Sequence, residues 1–291
     1  MKKPVFTGSA TALVTPFTDR GVDYDRLAAA LDRQAEGGTA AVVVCGTTGE
    51  AATLSEAERA SIIEFTAVYT RSRMKVIAGN DTLAAANAAR RAERLGADAL
   101  LLTTPYYNKA SSEGIVRHFA YVAEHSELPL IVYNVPGRTG VSCTPEHYAR
   151  LAEIPRINGV KEASGDISLV SRTRHLCGDA LNIWSGNDEQ TLPMLALGAK
   201  GVISVASNIV PQVMATLCAT ALSGDFFTAR AIHEAYAGLF DALFYEVNPI
   251  PVKTAMQMLG WDSGRLRLPL CPMAEGNAAK LQNCLESLQL L

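Results

Sequence analysis

The chain has 291 residues, with 26 Lys and Arg against 29 Asp and Glu, a net charge of −3 and no block of like charges. That balance argues against a nucleic-acid partner or a polybasic membrane contact and leaves small neutral or anionic metabolites as ligands. Six scattered cysteines with no C-x-x-C pair, and five histidines without ligand spacing, signal neither a disulfide framework nor a metal site.

Behind Lys2 and Lys3, polar Thr7, Gly8, Ser9 and Thr11 interrupt any apolar leader, and no later stretch approaches the ~18 apolar residues of a membrane span. A soluble, cytoplasmic chain is expected. Strand-like apolar runs then follow at Thr11–Phe17, Ala41–Cys45, Val76–Gly79, Ala99–Thr104, Leu130–Asn134, Asn158–Lys161, Asn182–Ser185 and Val202–Val205. Continuous rather than alternating apolar strands indicate a parallel sheet covered on both faces. The intervals between them each hold one crossover helix. Ser55-Glu56-Ala57-Glu58 reads as a capping box, and Thr144-Pro145 as an N-cap followed by proline at the first helical position. Gly37-Gly38, Gly96 and Gly198 each close a helical stretch before a strand.

Eight such units predict an α/β fold, a closed (β/α)8 TIM barrel over residues 1–209. A doubly wound open sheet is the alternative, but no G-x-G-x-x-G follows the first strand. After Asn208 only helical patterns remain, at Pro211–Ser223, Asp225–Phe244 and near Glu275–Leu290, so residues 210–291 are read as a C-terminal helical region packed on the barrel.

In a parallel barrel the chemistry gathers at the C-terminal strand ends, and here these are polar. They carry Gly46-Thr47-Thr48-Gly49-Glu50, Pro105-Tyr106-Tyr107-Asn108, Tyr133-Asn134-Val135-Pro136-Gly137-Arg138, Lys161, Ser185-Gly186-Asn187-Asp188 and Ser204 to Asn208. Lys161 ends the apolar run Ile157-Asn158-Gly159-Val160, so it is expected to be partly desolvated, with a pKa lowered toward the range of an amine nucleophile. Tyr133 on the neighbouring strand offers a phenol for proton transfer, Thr47 and Thr48 offer hydroxyls, and Arg138 offers a planar fork for a carboxylate. Singly each has a plainer reading: a turn for Gly-Thr-Thr-Gly, an ion pair for Arg138, interface packing for Tyr106 or Tyr107. Their convergence on one barrel face is what suggests a site for carboxylated carbonyl compounds.

With these residues assembled, the chain closely resembles the dihydrodipicolinate synthase family of pyruvate-dependent class I aldolases. The resemblance runs nearly end to end, through the motifs above and through Gly159-Val160-Lys161-Glu162-Ala163, Gly201-Val202-Ile203-Ser204, Asn248-Pro249-Ile250-Pro251-Val252-Lys253 and Leu266-Arg267-Leu268-Pro269. It implies a Schiff base between pyruvate and Lys161, whose enamine attacks L-aspartate 4-semialdehyde to give 4-hydroxy-tetrahydrodipicolinate in diaminopimelate and lysine biosynthesis. Tyr133, Thr47 and Tyr107 would relay protons, with Tyr107 reaching in from a neighbouring subunit. Thr48 would hold the pyruvate carboxylate and Arg138 that of the semialdehyde, while the backbone at Gly186 and Ile203 would line the pocket. No cofactor or metal is implied, and a homotetramer is the usual assembly. The alternative is a sister enzyme such as N-acetylneuraminate lyase or a keto-deoxy-sugar-acid aldolase, against which the second threonine of Gly46-Thr47-Thr48-Gly49 and Arg138 argue. In lysine-inhibited members a cleft uses polar side chains after Gly-Thr-Thr-Gly-Glu and a later amide and carboxylate. Here the later positions read Leu83 and Asn87, so weak or absent inhibition by L-lysine is expected.

Overall fold

The computed structural model describes residues 1–80 and 85–291. Eight parallel strands close into a barrel: β1 (Gly8–Ala12), β2 (Ala41–Val44), β3 (Lys75–Asn80), β4 (Ala99–Thr103), β5 (Leu130–Asn134), β6 (Ile157–Glu162), β7 (Asn182–Ser185) and β8 (Gly201–Ser204). Each strand pairs with its sequence neighbours, and β1 closes the ring on β8 with Gly8 opposite Gly201. The predicted (β/α)8 barrel is therefore the fold observed. Helices α1 (Tyr24–Glu36), α2 (Glu56–Thr70), α3 (Ala85–Arg94), α4 (Ser112–Glu124), α5 (Pro136–Thr139), α6 (Pro145–Ala152), α7 (Ile167–Cys177) and α8 (Thr191–Ala196) lie between strands, and α9 (Pro211–Leu222) packs against β1.

Side chains alternate between two apolar layers, and this explains the unbroken apolar runs. On β2, Ala41 and Val43 enter the barrel interior, whereas Val42 and Val44 join the layer beneath the helices. β4 does the same with Ala99 and Leu101 against Leu100 and Leu102. The capping box at Ser55 forms, with the Glu58 amide donating to Ser55 Oγ and the Ser55 amide to Glu58 Oε2 at 2.9 Å. One boundary departs from expectation. The run Thr11–Phe17 was expected to be one strand, but β1 occupies Gly8–Ala12 and Phe17–Thr18 instead pairs antiparallel with Gly21–Val22. Pro16, which lacks an N–H, separates the two pieces and cannot serve a ladder.

Helices α10 (Phe226–Ala242), α11 (Ile250–Met258) and α12 (Glu275–Ser287) complete the chain. One apolar cluster joins Val14, Leu195 and Val202 of the barrel to Met214, Phe240, Val252 and Leu281. We propose the division at residues 209 and 210 as a boundary of topology, with a shared core across it.

Candidate active site

Lys161 and Tyr133 are register partners on β6 and β5, and both enter the barrel from its C-terminal end. The barrel below them is plugged by Trp184, fully buried and stacked on Phe6 with ring centres 5.1 Å apart. Trp184 explains Gly159, two residues before Lys161 on the same face: a Cβ there would sit 2.7 Å from the indole and 2.3 Å from the Asn182 carbonyl oxygen. With the bottom closed, the open end faces a cavity of about 370 Å³ whose walls include Thr47, Thr48, Tyr133, Arg138, Lys161 and Asn248.

The Lys161 ammonium lies 4.4 Å from the centre of the Tyr133 ring. Lys161 is 5 % exposed, and burial first, then the Arg138 charge, lower its pKa to about 8, while the Asp188 carboxylate opposes the shift. Near neutral pH a useful fraction of this lysine is therefore the free amine. Burial raises the pKa of Tyr133, which a hydrogen bond with Thr47 and the charge of Arg138 partly offset. Its phenol thus stays protonated and holds a proton to give. Arg138, in the short helix α5, donates from Nη2 to the Asn248 carbonyl at 3.0 Å. Thr48 is 3 % exposed, and its Oγ1 accepts from Asn248 Nδ2 at 3.0 Å.

The structure brings Lys161, Tyr133, Thr47, Thr48 and Arg138 together, as the sequence suggests. It does not bring Tyr107 to them: this residue is 94 % exposed with φ +68°, and its neighbour Tyr106 stands in the cavity wall instead. Gly186 lies beside Lys161, where an added Cβ would meet Lys161 Cε at 3.1 Å and Ala163 Cβ at 2.6 Å. Ile203 is fully buried in the interior layer, and neither it nor Gly186 forms part of the cavity wall. Leu83 lies outside the described residues, and Asn87 on α3 accepts from Arg90 Nη2 at 2.8 Å.

Two groups of residues around the site were not singled out from the sequence. Glu50 and Lys253 form an ion pair of 2.8 Å with both side chains fully buried. Lys253 also donates to the Thr15 carbonyl at 3.0 Å, and Glu50 Oε2 accepts the Arg267 amide at 3.0 Å, so the loop carrying Thr47 and Thr48 is tied to the C-terminal segment. Arg267 adds a two-pronged pair with Glu58 at 2.6 and 3.0 Å over the Phe17 ring. Asp188 is the other: its Oδ2 accepts the amides of Val205 and Ala206 at 3.0 and 2.9 Å. A carboxylate used this way fixes the turn after β8 at the mouth of the barrel.

Residues 5–288 match the model of the Dihydrodipicolinate synthetase family. This chain belongs to that family. A 4-hydroxy-tetrahydrodipicolinate synthase from Geobacter sulfurreducens is 46 % identical to this family member over 290 residues, covering 99 % of this chain and all of the relative. The crystal structure of a chloride-inhibited dihydrodipicolinate synthase from Acinetobacter baumannii complexed with pyruvate superposes with a TM-score of 0.96. It is 41 % identical and covers 98 % of this chain and all of that one. A third family member, from Cyanidioschyzon merolae with lysine bound, has a TM-score of 0.95 and 37 % identity over 99 % of this chain and all of that one.

Proposed function

We propose that the chain is a lyase that condenses pyruvate with L-aspartate 4-semialdehyde to 4-hydroxy-tetrahydrodipicolinate, as its synthase relatives are named to do. The observation that carries this reading is the desolvated Lys161 beside Tyr133, with Thr48 and Arg138 in the same cavity.

The free amine of Lys161 attacks the ketone carbon of pyruvate to form a carbinolamine. Tyr133 gives the departing hydroxyl a proton, water leaves, and an iminium forms. Thr47, hydrogen-bonded to Tyr133, passes protons along, and Tyr107 of a second copy of the chain completes the relay toward solvent. The iminium draws electrons from the methyl C–H bond, so loss of that proton leaves an enamine. The enamine carbon bonds to the aldehyde carbon of the semialdehyde, whose oxygen takes up a proton and becomes the 4-hydroxyl. The substrate amino group then attacks the iminium carbon, the Lys161 nitrogen leaves as the amine, and the ring closes. Thr48 orients the pyruvate carboxylate and Arg138 that of the semialdehyde, while Gly186, packed against Lys161 Cε, leaves the lysine room to carry the adduct. Lys161 itself is the covalent carrier, so these steps draw on no cofactor.

No helix among the described residues is long and apolar enough to cross a membrane. A cytoplasmic homotetramer serving diaminopimelate and lysine biosynthesis fits this chemistry, since Tyr107 acts only across a subunit contact. Turnover of L-aspartate 4-semialdehyde plus pyruvate, beside cleavage of N-acetylneuraminate, tests the reading. Turnover of the first alone is expected. Cleavage of the sugar acid without semialdehyde turnover would favour the sister lyases.

A further inference from the structure

Asn248 is contributed by the C-terminal segment, 200 residues from Thr48 in sequence, yet it is buried against the cavity. Its side-chain amide donates to Thr48 Oγ1 at 3.0 Å, and its backbone carbonyl accepts from Arg138 Nη2 at 3.0 Å. One residue therefore touches both groups assigned to substrate carboxylates. The bond to Thr48 has a direction that matters. A threonine hydroxyl carries one proton and two lone pairs. Because Asn248 fills a lone pair, the Thr48 proton points elsewhere, and among the described residues no acceptor takes it. The other side-chain polar atom, Asn248 Oδ1, is buried without a hydrogen-bond partner, so the bond to Thr48 is the one that fixes the side-chain amide, while the Arg138 bond fixes the backbone that carries it.

We infer that Asn248 is a positioning residue that commits Thr48 to act as a hydrogen-bond donor, and that this sets the affinity of the cavity for the carboxylate of its keto acid. Without the amide, Thr48 is free to rotate and to face the anion with a lone pair. The energetic scale is that of a hydrogen bond to a charged group, which corresponds to about tenfold or more in affinity. The inference rests on the assignment of Thr48 to the pyruvate carboxylate and adds the device that orients it.

The test traps the imine in the full-length protein with pyruvate and cyanoborohydride. Intact mass gives the pyruvate concentration that half-saturates Lys161 for the wild type, Thr48→Ala, Asn248→Ala, Asn248→Asp and the double Thr48→Ala, Asn248→Ala variant. Each single variant is expected to raise half-saturation about tenfold, and the double variant to stand no higher than Thr48→Ala, because Asn248 acts through Thr48. Asn248→Asp matches the native side chain in size but offers no donor, so it carries the test if Asn248→Ala fails to fold, and thermal unfolding reports which case holds. Folded Asn248 variants within twofold of the wild type, or a double variant weakened by about the product of the single effects, would overturn the inference while leaving the Thr48 assignment standing. An unchanged Thr48→Ala would overturn both.

Discussion

Tyr133 and Lys161 sit directly opposite each other on adjacent parallel strands, with the ammonium 4.4 Å from the ring centre. A register pair fixes two side chains on one face at the spacing of neighbouring strands, so the nucleophile and its proton donor are set by the most rigid part of the fold. The aromatic face also offers the ammonium and the later iminium a cation–π contact that a bulk-water lysine lacks.

The lowered pKa of Lys161 predicts the pH profile of imine formation. Below about pH 8 the rate with pyruvate should rise tenfold per pH unit, and above it should level off. Stopped-flow kinetics of the pyruvate adduct would show this limb. The same shift has a stability consequence. Between about pH 8 and 10.5 the unfolded chain holds a proton on Lys161 that the folded chain has released, so this residue's contribution to stability rises with pH across that window and is least favourable below it. Lys161→Met should remove that slope and abolish the adduct. Urea unfolding at pH 7 and pH 10 compares the two proteins.

Tyr133→Phe removes the proton that assists departure of water while preserving the ring beside Lys161. A loss of about 10²–10⁴ in kcat is expected, with a smaller change in the KM for pyruvate. Thr47→Val should act in the same direction through the lost hydrogen bond to Tyr133. Steady-state kinetics with both substrates would separate kcat from KM.

Tyr107 is 94 % exposed and absent from the cavity wall of its own chain. If it completes the relay in a second copy, Tyr107→Phe and Lys161→Ala proteins should each be nearly inactive alone and regain activity when assembled together. A hybrid then holds sites with an intact Lys161 and a neighbour's Tyr107. Co-refolding and assay of the mixture tests this, and a mixture no more active than its parts would remove Tyr107 from the mechanism.

Glu50 and Lys253 are paired with both side chains fully buried. Truncating one partner, as in Lys253→Met, leaves a carboxylate stranded away from water and should cost about 3–5 kcal/mol of stability. The double variant Glu50→Gln, Lys253→Met should be less destabilised than Lys253→Met alone, since the stranded charge is gone. Urea titration of the three proteins decides it.

L-Lysine should inhibit weakly, with half-maximal inhibition above the low millimolar range. Among the described residues the cleft between α2 and α3 is lined by Arg59, Arg90, Arg91 and Arg94 against Glu56 and Glu93, a surplus of positive charge that disfavours a cationic amino acid there. Asn87, at one of the positions expected to hold the ligand, already accepts from Arg90. Initial rates across a lysine titration check this, and half-maximal inhibition at low millimolar lysine or below would refute it.

The barrel was legible because both faces of each strand are buried, which leaves continuous apolar runs such as Ala41–Val44 and Leu130–Asn134 in the sequence. The first strand was misjudged because its residues Gly8-Ser9-Ala10-Thr11-Ala12 are small and partly polar, whereas Leu13, Val14 and Phe17 beyond its end carry the apolar signal. Lys161, Tyr133 and Thr47 were visible as polar residues ending apolar strands, the place where a barrel keeps its chemistry. Asn248 and Lys253 stood in a motif of the resemblance, but their roles were not visible, since their partners Thr48 and Glu50 lie 200 and 203 residues away and a bond over such a distance leaves no local pattern. Arg138 showed its charge in sequence, but its anchorage on the Asn248 carbonyl depends on the same long-range contact.

The central claim is that Lys161 carries pyruvate as an imine, and borohydride reduction in the presence of pyruvate followed by peptide mass mapping tests it most directly. A single reduced pyruvate adduct on the peptide containing Lys161, lost in Lys161→Ala, is the predicted result. An adduct on any other lysine, or none at saturating pyruvate, would contradict it.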